Sequence, residues 1–201
     1  MVLAPIAERE QARFETSNCK LKMIMLTSKE LVEKIMKFEG CRLEAYQDAA
    51  GVWTIGYGHA HGVSQGDVIT DYYAKELLKK DISMAEKQVL ALGVCKTQGQ
   101  LDALTDFVFN LGIERLKQST LLKVIKADFP SEEIIRQFRR WVYANGERQP
   151  GLVARRRWES IRYFEPSKRL DDVQKWVEKG EDAASVEEVE DDEYLEHFDY
   201  E

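Results

Sequence analysis

The stretch from residue 43 to residue 69 most constrains the fold, because its composition differs from that of the chain on either side. Its glycines, at positions 51, 56, 58, 62 and 66, alternate with aromatic and β-branched residues. This composition is typical of short β-strands joined by tight turns. The flanking segments instead repeat apolar residues at helical spacing. We therefore predict an α+β protein in which a small sheet interrupts a helical chain.

Helices are predicted before and after the sheet. The first begins at a capping box, with Thr27 at the N-cap and Glu30 three residues later, and it ends near Gly40. A long linking helix begins at position 70 or 71 and continues to about 92. Shorter helices follow over 100–111, from 119 or 120, from 130 to about 145, and from 150 to about 164. The scheme is a helix, a small sheet, a long linking helix and a helical lobe.

Charge divides the chain into a basic body and an acidic tail. Residues 171–201 contain 14 acidic side chains and two lysines, a net charge of −12, and the whole chain carries −7, so residues 1–170 carry +5. A basic body suits an anionic partner such as a cell-wall polymer or a nucleic acid. We predict three regions: an N-terminal extension over 1–25, a folded domain over 26–166, and an acidic tail over 167–201.

Several classes of function are disfavoured by the sequence. No apolar run approaches the roughly 18 residues of a transmembrane helix, and the N-terminus has no classical secretion signal. Cys19, Cys41 and Cys95 lack metal-ligand spacing, so we expect free thiols in a reducing cytoplasm. His59 and His61 could share one face of a strand, but no third metal ligand has suitable spacing. The arginine triplet at 155–157 lacks the interleaved aromatic residues of a nucleic-acid surface.

Two carboxylates and a hydroxyl bracket the first turn of the sheet. Eight residues separate Glu39 from Asp48, and five separate Asp48 from Thr54. Glycosidic cleavage needs a protonated acid and a second carboxylate. Glu39, beside apolar side chains at a helix end, suits the acid; Asp48, in a polar turn, suits the base; Thr54 could hold the attacking water. The same residues could also be only a helix end, a turn and a strand residue.

The surrounding residues resemble the active-site segment of phage lysozymes (endolysins) of glycoside hydrolase family 24. That family has Glu, eight residues, Asp or Cys, five residues and Thr, and this chain matches with Asp48. The matching stretches are Phe38-Glu39-Gly40, Arg42-Leu43, Ala45-Tyr46, Thr54-Ile55-Gly56-Tyr57-Gly58-His59, Phe109-Asn110-Leu111-Gly112, Ser119-Thr120-Leu121-Leu122, Arg140-Trp141-Val142-Tyr143, Gly151-Leu152, Arg155-Arg156-Arg157 and Glu159. Together they cover about residues 26–165.

The resemblance implies a two-lobed lysozyme-like fold and a muramidase activity. Such an enzyme hydrolyses the β-1,4 bond between N-acetylmuramic acid and N-acetylglucosamine in peptidoglycan. By position, Glu39 would be the proton donor, Asp48 would position or activate the water, and Thr54 would support that water. The family is taken to invert the anomeric centre, which predicts carboxyl groups roughly 6.5–9.5 Å apart. No cofactor and no metal are implied.

The resemblance also implies roles for residues around the cleft. Tyr57, Gly58, His59, Phe109 and Asn110 are expected to contact sugar or line the cleft, with core packing an equal alternative for the two aromatic residues. An arginine of the triplet, Arg155 or Arg156, would pair with the catalytic glutamate or support the cleft from behind. The preferred role of His59 is structural.

The expected partner is the glycan strand of peptidoglycan, with no nucleic acid and no stable membrane insertion. We expect a monomer made in the host bacterial cytoplasm that reaches the periplasmic wall through a holin-like pore. The alternatives are a lytic transglycosylase acting on the same bond and an inactive wall-binding module. The acidic tail could shield the basic body, or it could be solvated without catalytic consequence.

Overall fold

The computed structural model describes residues 26–48 and 50–166. Within these two ranges the chain forms seven helices and four strands, in agreement with the predicted α+β class. In chain order they are α1 (Lys29–Glu39), β1 (Arg42–Gln47), β2 (Trp53–Gly56), α2 (Asp71–Leu90), α3 (Gln98–Leu111), α4 (Ile113–Gln118), α5 (Thr120–Lys126), α6 (Ser131–Phe138), β3 (Tyr143–Ala144), β4 (Glu147–Arg148) and α7 (Pro150–Phe164). The predicted N-terminal extension and acidic tail lie outside the described residues.

Helix α1 begins one residue later than the capping box predicts. The side chain of Ser28, not of Thr27, caps it by accepting a 3.2 Å hydrogen bond from the backbone N–H of Leu31. The reason is tertiary, since the backbone N–H of Thr27 donates to the carboxylate of Glu86 at 2.6 Å. The helix ends where Gly40 adopts a φ of 65°, which leaves Glu39 as its last residue.

The sheet that follows is a twisted antiparallel pair. Strand β2 lies against β1 with Thr54 opposite Tyr46, and the register is irregular between Tyr46 and Arg42. The tight turn between the two strands begins at Asp48, whose backbone N–H donates to the carbonyl of Val52 at 3.0 Å. The predicted strand-and-turn character of this region is therefore observed.

A second hairpin replaces the end of a predicted helix. The sequence suggested a helix from 130 to about 145, but α6 ends at Phe138 and strands β3 and β4 pair through a two-residue turn. Asn145 and Gly146, with φ values of 51° and 79°, form that turn. Both positions require a left-handed backbone, and Asn-Gly is the dipeptide that tolerates it best. Helix α4 was also not predicted, because its six residues fall between two turn signals.

Two hydrophobic cores share the linking helix. Ala74, Leu77, Leu78 and Ile82 of α2 lie in the core beneath the sheet, while Ala85 and Val89 lie in the core of the helical lobe. Phe109, near the end of α3, packs against both cores.

Among the described residues no helix is long and apolar enough to cross a membrane.

A buried carboxylate connects three helices at the base of the molecule. Asp102 of α3 is fully buried and accepts hydrogen bonds from the backbone N–H and the hydroxyl of Ser28, at 3.0 and 2.6 Å. It also accepts from the Nη2 atom of Arg162 in α7 at 2.8 Å. The N-cap of α1 is thereby tied to the middle of the chain and to its last described helix.

Candidate active site

A cavity of about 410 Å³ lies between the sheet and the helical lobe. Its walls come from the end of α1, the segment after β2, the middle of α2 and the end of α3. Among its lining residues are Glu39 and all five predicted substrate contacts, namely Tyr57, Gly58, His59, Phe109 and Asn110. Asp48 and Thr54 do not line this cavity. The sequence candidates therefore divide into a cavity group and a group on the β1–β2 hairpin.

Glu39 contacts a buried arginine of the last helix. The Nη1 atom of Arg155 lies 2.5 Å from Oε1 of Glu39, and the arginine side chain is 4% exposed whereas that of Glu39 is 25% exposed. The rings of Phe38 and Phe109 lie 5.1 and 5.9 Å from the guanidinium. The other carboxyl oxygen of Glu39, Oε2, has no hydrogen-bond partner among the described residues. Glu39 thus has one oxygen fixed by a cation and one available to a ligand.

Backbone geometry brings the sheet segment close to Glu39. Gly58 has a φ of 93°, and a Cβ atom at this position would lie 3.8 Å from Oε2 of Glu39. The positive φ is readily adopted by glycine and strained for other residues. The main chain at position 58 can therefore form the wall of the cavity beside the free carboxyl oxygen.

Asp48 is exposed, and backbone groups of its own turn hold its side chain. Its Oδ1 atom accepts hydrogen bonds from the N–H groups of Ala50 and Val52 at 2.8 and 2.9 Å. No described residue hydrogen-bonds Oδ2. This arrangement fixes the carboxylate plane and leaves one oxygen directed to solvent, which the aspartate's position at the start of a tight turn makes possible.

Thr54 is buried on β2, with 5% of its surface exposed. Its hydroxyl donates to the carbonyl of Val52 at 3.1 Å. Because the hydroxyl proton is used in that bond, the oxygen lone pairs remain able to accept a hydrogen bond from a water molecule. Val52 therefore connects the two residues, since its N–H donates to Asp48 and its carbonyl accepts from Thr54.

Arg156 lies behind the cavity and does not reach Glu39. Its Nη2 atom donates to Oδ1 of Asn110 at 2.8 Å and pairs with Oε1 of Glu159 at 2.8 Å. Burial raises the pKa of Glu159 well above its usual value; Arg156 opposes this shift, and Asp106 reinforces it. Two of the three arginines of the triplet are buried, which is inconsistent with a nucleic-acid surface.

His59 is buried, with both ring nitrogens bound to acceptors. Nδ1 lies 2.7 Å from Oδ2 of Asp81 on α2, and Nε2 lies 2.9 Å from the carbonyl of His61. Only the imidazolium form can donate both hydrogen bonds. Burial lowers the pKa of His59, but the Asp81 carboxylate and the His61 carbonyl outweigh burial, so the pKa is raised above 6.5. His59 thus joins two parts of the cavity wall, and its preferred structural role stays a prediction.

The other predicted contacts differ in how far they reach the cavity. Tyr57 is 6% exposed and packs in the core beneath the sheet, whereas Phe109 and Asn110 are half-buried and Gly58 is exposed. Within the described ranges, no group of three or more His, Cys, Asp or Glu side chains could hold a metal ion.

Sequence reasoning missed the carboxylates behind the site. Asp106 binds Arg155, and Asp81 binds His59, across 49 and 22 residues of chain respectively. One signal could have identified the first: Asp102 and Asp106 are four residues apart, on the same helix face as the buried apolar side chains of α3. An acid on that face must have a buried cation as its partner.

Comparison with known proteins gives a consistent result. The model of the family described as phage lysozyme matches residues 36–159. An endolysin of Acyrthosiphon pisum secondary endosymbiont phage 1 is 43% identical over 135 residues, which cover 62% of this chain and 88% of the relative. A SAR-endolysin of bacteriophage PS119 is 36% identical over 124 residues, covering 60% of this chain and 73% of the relative.

The fold is also similar to solved structures. The muramidase domain of SpmX from Asticcacaulis excentricus superposes with a TM-score of 0.63 at 31% identity, covering 71% of this chain and 99% of that domain. The matched family model spans the segment that begins just before Glu39 and ends at Glu159.

Proposed function

The chain belongs to the phage lysozyme family, and on that premise we propose that it cleaves the β-1,4 bond between N-acetylmuramic acid and N-acetylglucosamine with Glu39 as proton donor. It is a lysozyme-like enzyme that hydrolyses peptidoglycan, as the family and its endolysin relatives indicate. The bond cleaved, the roles of individual residues and the route to the wall are the parts that we propose.

The arrangement of the Glu39 carboxyl group carries this proposal. One oxygen is held by Arg155 at 2.5 Å, and the other lies beside Gly58 at the cavity wall. A general acid must place a protonated oxygen within hydrogen-bond reach of the leaving glycosidic oxygen. A carboxyl group anchored at one oxygen can present the other in a fixed direction.

Asp48 and Thr54 are proposed to activate and position the attacking water. Two backbone N–H groups orient the Asp48 carboxylate, and its Oδ2 atom is free to accept a proton from water. The Thr54 hydroxyl donates to the Val52 carbonyl, so its oxygen can accept a hydrogen bond from the same water. This division of roles corresponds to an inverting hydrolase, in which the second carboxylate activates water.

Replacing the proposed acid tests this function. We expect Glu39→Gln to lower the release of reducing ends from purified peptidoglycan by about 10²–10⁴-fold, because the amide cannot protonate the leaving group. Glu44→Gln is the matched control, since Glu44 is an exposed residue of β1 outside the cavity. Equal activity of the wild type and Glu39→Gln would show that another residue is the acid.

Product chemistry separates the two enzymatic alternatives. Hydrolysis leaves a reducing end on the muramic acid, whereas a lytic transglycosylase leaves an anhydro sugar. Asp48 and Thr54 favour hydrolysis, because transglycosylation needs no activated water. An inactive wall-binding module would bind peptidoglycan and release neither product.

We further propose that the enzyme is made as a monomer in the bacterial cytoplasm and reaches the wall through a holin-like pore. Loss of lysis in cells that lack the pore, with lysis restored when the inner membrane is permeabilised, would support it.

A further inference from the structure

A row of buried charges lies directly behind Glu39, between helices α3 and α7. It contains Asp106 of α3 together with Arg155, Arg156 and Glu159 of α7, and each of these side chains is at most 4% exposed. Charges this deeply buried are retained only when their partners are close and well oriented. Arg155 is the member that hydrogen-bonds Glu39, so it links the rest of the row to that carboxyl group.

Asp106 binds Arg155 on the side of the guanidinium opposite Glu39. Its Oδ2 atom accepts a hydrogen bond from Nε at 2.9 Å, and its Oδ1 atom accepts one from Nη2 at 2.8 Å. This is the bidentate geometry of an arginine–carboxylate pair. Only Nη1 remains to face the cavity, where it meets Glu39. Because a bidentate pair fixes the guanidinium plane, the position of Asp106 determines which arginine nitrogen Glu39 meets and in what direction.

We propose that Asp106 is a positioning residue for the reaction: it fixes Arg155 beside Glu39 and offsets the arginine charge, so that Glu39 keeps a proton at the pH of catalysis. The inference rests on the proposed role of Glu39 as general acid. An arginine alone would hold Glu39 as a carboxylate, which cannot protonate a leaving group. An arginine already paired with a buried carboxylate orients Glu39 while attracting its negative charge less strongly.

The balance of charge within the row supports this function. Burial raises the pKa of Glu159 well above its usual value; Arg156 opposes the shift, and Asp106 reinforces it. Burial lowers the pKa of Arg156, and Glu159 and Asp106 oppose that shift. Asp106 therefore acts on both arginines, since it also binds Arg155 through two atoms. Removing the Asp106 charge would leave Glu39 as the only carboxylate that Arg155 hydrogen-bonds among the described residues.

Other titratable side chains line the cavity opposite Glu39. Across the cavity, His59 is bound to Asp81 and to the His61 carbonyl. Tyr57, on the same wall, is buried in the core beneath the sheet. Asp48 is held by the backbone of its own turn, on the hairpin outside the cavity.

The test is the pH profile of kcat/KM for Asp106→Asn, measured on soluble glycan fragments at constant ionic strength. We expect the high-pH limb, where Glu39 loses its proton, to move to lower pH by about one unit, because an uncompensated cation favours the carboxylate. KM should stay the same, because Asp106 is fully buried away from the cavity surface. A high-pH limb that coincides with that of the wild type would overturn the proposal.

Asp102→Asn is the matched control. Asp102 is four residues earlier on α3, equally buried, and paired with an arginine of α7, namely Arg162. The same substitution there should lower stability without moving the high-pH limb. A shift of equal size in both variants would mean that the high-pH limb moves because the packing of α3 is disturbed. The loss of the carboxylate charge beside Arg155 would then not be the cause.

A second variant keeps the proposal testable if Asp106→Asn does not fold. Replacing the pair together, Arg155→Met with Asp106→Leu, substitutes apolar volume for a buried ion pair, a change that proteins often tolerate. Glu39 then loses its cation, so the high-pH limb should move to higher pH, opposite to the shift in Asp106→Asn. An unmoved limb would contradict the inference.

The two hypotheses fail in different ways. If Glu39→Gln retains full activity, the assignment of the acid is wrong whatever Asp106 does. If Glu39→Gln is inactive but the high-pH limb of Asp106→Asn coincides with that of the wild type, the proposed function stands and the role of Asp106 is refuted.

Discussion

His59 is a buried side chain that holds two parts of the cavity wall together. Its ring connects Asp81 of the linking helix to the main chain at His61, through hydrogen bonds of 2.7 and 2.9 Å. Both partners are acceptors, so the protonated ring satisfies both and the neutral ring satisfies only one. The environment raises the pKa of His59, and folding is therefore linked to proton binding at this residue.

We expect His59→Asn to lower the free energy of unfolding by about 2 kcal/mol in acid, the usual size for hydrogen bonds of a charged group. Because the folded-state pKa is raised, this stabilisation is complete below the unfolded pKa near 6.5 and is lost as pH rises through the folded pKa. Urea unfolding of the variant and the wild type across pH measures the difference. His61→Asn, at an exposed position, is the control. A difference that does not change with pH would contradict the linkage.

The residues of the site differ in how predictable they were. Glu39, Asp48 and Thr54 lie within one short segment, so their spacing made them candidates, and the resemblance to phage lysozymes then singled them out. Asp106 joins the site only through packing of α3 against α7, 49 residues away. A sequence pattern records local spacing, whereas this contact depends on how two helices dock. The role of each candidate stays a prediction until its variant is assayed.

At the scale of elements, Ser119 connects two short helices. Its hydroxyl donates to the Leu116 carbonyl at the end of α4, at 2.6 Å, and accepts from the Leu122 N–H at the start of α5, at 3.0 Å. The side chain is buried, so water cannot replace either bond. Helices of six and seven residues are too short to be stable without such end contacts.

We expect Ser119→Ala to lower the free energy of unfolding by about 1–2 kcal/mol, because it removes an N-cap and leaves the buried Leu122 N–H without its acceptor. The Leu116 carbonyl keeps its bond from the backbone N–H of residue 119. Thr97→Ala is the comparison. Thr97 caps α3 through a single 3.3 Å bond and is only half-buried, so its loss should cost less. Equal losses in urea unfolding would show that burial of the cap does not matter here.

The ends of helices were predicted correctly where a single local sequence signal was present. The sequence placed the start of the linking helix at position 70 or 71, and the Thr70 side chain caps it by accepting from the Tyr73 N–H at 3.2 Å. The prediction was wrong around residue 143, where an apolar helical pattern ran into an Asn-Gly turn. There the dipeptide's preference for a left-handed backbone prevailed over periodicity and produced β3 and β4.

At the scale of the whole molecule, the linking helix unites the two cores. Its first three turns are packed beneath the sheet and its last two in the helical lobe, and Phe109 contacts both cores. Neither core is complete without α2, so we expect both lobes to lose structure in one unfolding transition.

The acidic tail offers a further test at this scale. Residues 171–201 carry a net charge of −12 against a body of +5. If the tail shields the body from the wall, removing residues 167–201 should raise activity at low salt, and the gain should disappear at high salt because ionic screening weakens the interaction. Equal activity and equal salt dependence of the two chains would refute shielding. Replacing the tail acids with amides, at unchanged length, is the matched control.

Helix α7 completes contacts that the first helix begins. Arg155 reaches Glu39 across 116 residues of chain, and Arg162 reaches the N-cap of α1 through Asp102. A ribosome releases α1 long before it releases α7, since synthesis runs from the N-terminus. A nascent chain therefore contains Glu39 before Arg155, its hydrogen-bond partner, has been synthesised. If Glu39 is the catalytic acid, the ability to cut the wall therefore begins only when α7 docks, after the chain has been translated beyond Phe164.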